Sequence, residues 1–186
     1  TNKKMAGGVA IGQVLRLNND PGFTSSSGLG KKQSDVFLAA ELSLSNASYI
    51  SFQGLLGSNF KTKKTDFNAG FDYKTLYLDT KYSFLQADSE ENRLNPIEEL
   101  TISTGHKLNY NWDVKSNLRY DQTESHLASL GAGLAYENQC VLVNLEMDRR
   151  YSLEGTSPPT TNFSFAISLK GFSTGKMTAI SEKSCK

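Results

Sequence analysis

Phe163-Ser164-Phe165-Ala166-Ile167-Ser168-Leu169 alternates large apolar and small residues without a fault, and an aromatic, Phe172, follows shortly after. A period of two is the mark of a strand with one oily face and one wet face. The pattern recurs along nearly the whole chain in segments of about ten residues, which is the length a tilted strand needs to cross the hydrocarbon core of a bilayer.

Ten such strands can be read. They run over Gly8 to Leu17, Asp35 to Ser45, Tyr49 to Gly57, Thr65 to Lys74 and Leu76 to Gln86, then Glu99 to Leu108, Trp112 to Asp121, Ser129 to Glu137, Cys140 to Arg150 and Asn162 to Gly171. In the second, Val36, Leu38, Ala40, Leu42 and Leu44 share one face and Asp35, Phe37, Ala39, Glu41 and Ser43 the other. In the ninth, Val141, Val143, Leu145 and Met147 oppose Asn144, Glu146 and Asp148. No segment offers a helical period, and no apolar run approaches the roughly 20 residues of a spanning helix. Mean hydropathy, −0.42, reads as soluble, but barrel strands hide half their residues from a hydropathy window.

The connections carry a second signal. Asn46-Ala47-Ser48, Lys74-Thr75, Asn109-Tyr110-Asn111 and Asn138-Gln139 read as tight turns, rich in the Asn that hairpins favour. Between them fall longer connections: Asn18 to Ser34, Ser58 to Lys64, Ala87 to Glu98, Gln122 to Leu127 and Leu153 to Thr161. Short and long therefore alternate, as in outer-membrane barrels with short periplasmic turns and long external loops, and by that rule the last strand ends in the periplasm. Tyr49, Tyr73, Tyr77, Tyr110, Trp112, Tyr136 and Phe172 lie near the tight-turn ends. Phe60, Phe84, Tyr120 and Tyr151 lie nearer the loop ends, so the aromatics suggest two interfacial girdles.

A soluble sandwich or lipocalin-like ligand-binding barrel also alternates, with its apolar face inward. Strand length, turn asymmetry and charges of both signs on the polar face favour the membrane reading: an all-β, antiparallel, up-and-down transmembrane barrel. Glu41, Asp72, Lys74, Asp79, Lys81, Lys115, Arg119, Glu146 and Asp148 would then line a wet lumen. A net charge of +1 with acids and bases interspersed leaves no nucleic-acid footprint. His106 and His126, the two histidines, stand apart from each other and from cysteine, which argues against a metal site or a Ser-His-Asp arrangement. Ser25-Ser26-Ser27-Gly28-Leu29-Gly30 is no phosphate loop, since no helix follows it. No catalytic site and no cofactor is expected, and an outer-membrane phospholipase or a porin is the rival within the barrel class.

Two groups of residues carry a family resemblance. One is Tyr136-Glu137-Asn138-Gln139-Cys140-Val141-Leu142-Val143, then Arg149-Arg150, then Thr161 to Gly171. The other is Ile11-Gly12-Gln13-Val14-Leu15-Arg16, Ser27-Gly28-Leu29 and Ser34-Asp35. Together they resemble LptD, the lipopolysaccharide-assembly family also called organic solvent tolerance protein, in its alphaproteobacterial type. The family's barrel has about 26 strands and follows a periplasmic jelly-roll domain. The resemblance thus implies that residues 1–172 are the C-terminal portion of such a barrel, from a fragment or a truncated product, and that 173–186 form a periplasmic tail. It implies non-catalytic insertion of lipopolysaccharide into the outer leaflet of a Gram-negative outer membrane. The expected partners are lipopolysaccharide, outer-membrane lipids, an LptE-like lipoprotein plug and, through the N-terminal domain, an LptA-like periplasmic bridge. The barrel would open laterally at its last strand, where Phe163, Phe165, Ile167 and Leu169 line the gate.

Cys140 lies where the family's C-terminal cysteine region bonds to the periplasmic domain. Relatives carry two adjacent cysteines there, whereas Gln139 precedes Cys140 here. Cys185, in the tail, is then a second bridge to that domain or the direct disulfide partner of Cys140. Two free thiols are the remaining alternative.

Overall fold

A computed structural model describes residues 5–19, 22–45, 48–57, 59–152 and 158–170. Ten strands form one antiparallel sheet in chain order. They are β1 (Ala6–Gly12), β2 (Val36–Ser45), β3 (Ser48–Leu56), β4 (Thr62–Tyr73), β5 (Leu76–Leu85), β6 (Ile97–Lys107), β7 (Trp112–Asp121), β8 (His126–Glu137), β9 (Val141–Arg150) and β10 (Thr160–Leu169). Two 3-10 turns, Ser25–Ser27 and Ser89–Glu91, interrupt the connections. This is the expected all-β, up-and-down architecture, consistent with the wall of a β-barrel. Among the described residues, β1 pairs with β2 alone and β10 with β9 alone, so the sheet ends on two edges.

Local chemistry sets the turns. Asn109 Oδ1 accepts from the backbone N–H of Asn111 (2.9 Å) and of Trp112 (3.0 Å). Asn138 Oδ1 does the same for Cys140 (2.9 Å) and Val141 (2.8 Å). In both hairpins an asparagine side chain holds the reversal that a backbone turn would otherwise have to hold alone. Lys74 turns β4 into β5 in the left-handed region, with φ 55°.

The alternation of short and long connections is weaker than the sequence reading. Thr62 to Lys64 belong to β4, and residues 122–125 between β7 and β8 are as few as residues 108–111 at the opposite end. The asymmetry rests on 13–35, 86–96 and 151–159. The expected tail, 173–186, lies outside the described residues.

No packed apolar core exists among the described residues. Ala135, 9% exposed, is the single buried hydrophobic side chain, and no large side chain is fully buried. Phe67, Phe71, Leu78, Leu130 and Leu145 all stand exposed on one face. A soluble lipocalin-like barrel turns its oily face inward, so this arrangement removes its support. Of the five buried strand positions among the described residues, Gly70, Gly105, Gly131 and Ala135 lie on the opposite, polar face and Gly54 alone on the apolar one. Residues inside a curved sheet crowd one another, which marks the polar face as the concave side.

Candidate transport surface

Pairing register arranges the polar face into rows that cross the sheet. One row runs Glu41, Ser51, Asn68, Lys81, Thr101, Arg119, Ser129, Arg150 and Thr160. The next, toward the tight-turn end, runs Tyr49, Gly70, Asp79, Ser103, Asn117, Gly131, Asp148 and Asn162. A third runs Asp72, Tyr77, Gly105, Lys115, Gly133, Glu146 and Ser164. Cations dominate the first row, anions the second, and the third mixes both. Toward the loop end Asp66, Ser83, Glu99 and Asp121 make a further acidic row, in which the Ser83 hydroxyl donates to Asp66 at 2.8 Å.

Glycines make room for the large polar-face side chains. The Tyr49 ring lies over Gly70 and its hydroxyl donates to Asp79 Oδ1 at 2.8 Å. The Tyr77 ring lies over Gly105 in the same way, and the Asn117 amide over Gly131. An aromatic laid across a bare glycine on the neighbouring strand fills the gap and pins register. Two of the aromatics expected in the girdle at the tight-turn end, Tyr49 and Tyr77, therefore face the concave side. Trp112 and Tyr136 remain on the apolar face, cross-strand partners with ring centroids 4.9 Å apart. Phe172 lies outside the described residues.

At the loop end, two connections far apart in sequence are clasped together. The Ser26 N–H donates to Asp88 Oδ2 (2.7 Å) and the Ser25 N–H to Glu90 Oε2 (2.8 Å). The hydroxyls of Thr24 (2.6 Å) and Ser26 (2.8 Å) both donate to Glu91 Oε1. Arg93 closes the far side, 2.7 Å from Glu91 Oε2. Below the clasp Lys63 Nζ stands 2.7 Å from the buried Asp35 carboxylate, as an ion pair off hydrogen-bond alignment, and donates to the Ser25 carbonyl at 2.7 Å. Gly28, with φ 70°, is required here: a methyl group on it would come within 2.6 Å of Asp35 Oδ2.

Hydrogen bonding from Ser26, foremost, holds the Asp88 carboxyl below its usual range, and the Thr24 hydroxyl, then Ser26 and Arg93, do so for Glu91. A carboxylate whose pKa falls on folding stabilises the folded form above the ordinary carboxylate range and ceases to do so as pH falls through the lowered value. The clasp is thus expected to hold at neutral pH and to release only in acid below the ordinary carboxylate range. Asp88→Asn should reduce amide-exchange protection at Ser25 and Ser26 by about tenfold at neutral pH and remove much of its acid dependence. Unchanged protection in this variant would show that the clasp does not hold the two loops.

The family model described as LptD, LPS transport system D, matches residues 2–112. The chain belongs to the LptD family. No curated protein matches it. Membership carries a role in lipopolysaccharide transport and assembly at the outer membrane, and the LptD family is a transport family rather than an enzyme family. The match takes in Ile11 to Arg16, Ser27 to Leu29 and Ser34-Asp35. The resembling stretches after Tyr136 lie beyond it.

Within this LptD-family sheet the residues expected to line a lumen are brought together, with one exception. Glu41, Lys81 and Arg119 share one row, Asp79 and Asp148 the second, Asp72, Lys115 and Glu146 the third. Lys74 does not join them; it sits in the β4–β5 turn with its ammonium 5.1 Å from the Tyr73 ring centroid. Phe163, Phe165, Ile167 and Leu169 lie along one face of β10, each more than half exposed. Cys140 occupies the β8–β9 turn, and the carbonyl of Cys140 accepts from Lys170 N–H at 2.8 Å. Cys185 lies outside the described residues. Sequence reasoning missed the clasp, whose partners stand more than 60 residues apart; the one trace of it was the Ser25-Ser26-Ser27 run.

Proposed function

We propose that residues 1–172 of this chain form the C-terminal part of the wall of a closed transmembrane barrel, with 173–186 a periplasmic tail, and that this barrel inserts lipopolysaccharide into the outer leaflet without catalysis. The observation that carries the reading is the placement of oil and charge: the apolar side chains stand exposed on the convex face, while charged rows cover the concave one. A bilayer would cover the first, and a lumen wet enough for phosphorylated sugars would hold the second. Glu41, Asp72, Asp79, Lys81, Lys115, Arg119, Glu146 and Asp148 are then lumen residues. The long connections face outward and the tight turns and C-terminus face the periplasm.

The β10 edge is the exit seam on this reading. An edge strand makes ladder hydrogen bonds on one side alone, so parting it from a closing neighbour costs less than tearing the interior of the sheet. Phe163, Phe165, Ile167 and Leu169 would offer acyl chains an oily track beside the seam. An LptE-like plug and an LptA-like bridge are the partners we infer, and we assign the chain to the alphaproteobacterial type on the pattern from Ile11 to Asp35. The test is photo-crosslinking in the intact protein in its native membrane, with a benzophenone side chain at Asn162 (polar face) or Phe163 (apolar face). Lipopolysaccharide adducts are expected at both. Their absence from both positions defeats the reading.

Cys140 is proposed to be disulfide-bonded, with Cys185 or with the periplasmic domain, because its turn would open into an oxidising compartment. Thiol labelling of the intact protein without reductant should leave it unmodified; full labelling would refute the bond.

A further inference from the structure

Arg149 and Arg150 end β9 at its loop end. Successive strand residues point to opposite faces. Register confirms the split. Arg150 pairs with Ser129 and Thr160 and completes the cationic row of Lys81 and Arg119 on the concave face. Arg149 pairs with Leu130 and Thr161, and shares the apolar face with Met147 and Phe163. Both are exposed, and neither has a carboxylate within ion-pair distance among the described residues. The Arg149 guanidinium stands 5.4 Å from the Tyr151 ring centroid. The next strand, β10, is the edge.

A guanidinium on a lipid-facing surface is tolerated near the interface and costly at the bilayer centre. Its place at the strand end, beside a tyrosine, puts Arg149 at headgroup level. Arginine also carries a planar fork that matches phosphate oxygens two at a time. We propose that Arg150 and Arg149 form a two-sided phosphate station at the exit seam. Arg150 receives a phosphate of an anionic glycolipid on the lumen side, and Arg149 takes it on the lipid side. The phosphate is then never left without a cation as the molecule passes the β10 edge. This rests on the reading that lipopolysaccharide leaves through that seam.

The same two crosslinking positions test it, now combined with arginine variants in the intact protein. Arg149→Gln should cut the lipopolysaccharide adduct at Phe163 by about tenfold relative to that at Asn162. Arg150→Gln should lower both adducts. Arg149→Lys, which keeps charge without the fork, should restore part of the Phe163 signal. Enzymatically dephosphorylated lipopolysaccharide should crosslink at Phe163 independently of Arg149. Adducts at both positions in the parent protein with no dependence on either arginine would overturn the station while leaving the transport reading intact. Absence of adducts in the parent protein would instead overturn that reading. If Arg149 governs capture of phospholipid rather than lipopolysaccharide, it is a bilayer anchor and the station is refuted. Should Arg149→Gln not fold, the Arg149→Lys and dephosphorylated arms decide the matter.

Discussion

Leu145→Arg is expected to destabilise the folded protein by about 2–4 kcal/mol, and Asn144→Arg to change little. The two residues are neighbours in the middle of β9 and differ in the face they occupy. Leu145 pairs with Leu134 and Phe165 on the apolar face and is 49% exposed. Asn144 pairs with Ala135 and Ala166 on the concave face. If the convex face meets lipid, a guanidinium at mid-strand must shed water or drag it in. On the concave face it enters a wet surface already lined with charges. Denaturant unfolding from lipid vesicles measures both. Equal tolerance at the two positions would mean that the convex face does not contact hydrocarbon. Greater damage at Asn144 would turn the wall inside out.

The second large effect belongs to Gly105→Val, expected to cost about 1–3 kcal/mol, the usual range for overpacking. A side chain there overlaps the Tyr77 ring that lies across the glycine. β6 has no slack to offer, because its neighbours on both sides hold it in register. Tyr77→Ala should remove most of the clash, so the double variant should be markedly less unstable than the sum of the two single changes. A coupling of about 1–3 kcal/mol is the measurable quantity. Strict additivity would mean that Tyr77 swings away freely and that the pair does not pin the sheet.

The strands most legible in the sequence are those whose alternation is bounded by a turn device. β7 runs from Trp112 to Asp121 as expected because Asn109 punctuates one end and a period of two, broken only at Ser116, fills the rest. β1 shifts from Gly8–Leu17 to Ala6–Gly12. Its start is nearly devoid of side chains, and the apolar Leu15 and Leu17 that imitate its continuation belong to the following connection. β8 begins at His126 rather than Ser129 because register slips between Arg119 and Tyr120 on its partner, which breaks the period where the strand starts. Tyr49 and Tyr77 look like interfacial aromatics in one dimension. Only pairing places each across a glycine of the next strand. The charged rows have the same origin: Lys81, Arg119 and Arg150 have no sequence relation, and the register alone aligns them.

The clasp between residues 24–26 and 88–91 also has a mechanical consequence. It staples the connection after β1 to the connection after β5, so the loop ends of β2 to β5 lie inside a closed tie. Beyond it, Thr123 reaches back only to Pro96 and Glu98 beside it. Among the described residues, side-chain ties thus join distant loop ends on the N-terminal side and none does so toward β10. A load along such a sheet should be taken up as bending near the edge with the fewest ties among the described residues, so a wall that opens at β10, as proposed, would do so without any dedicated hinge.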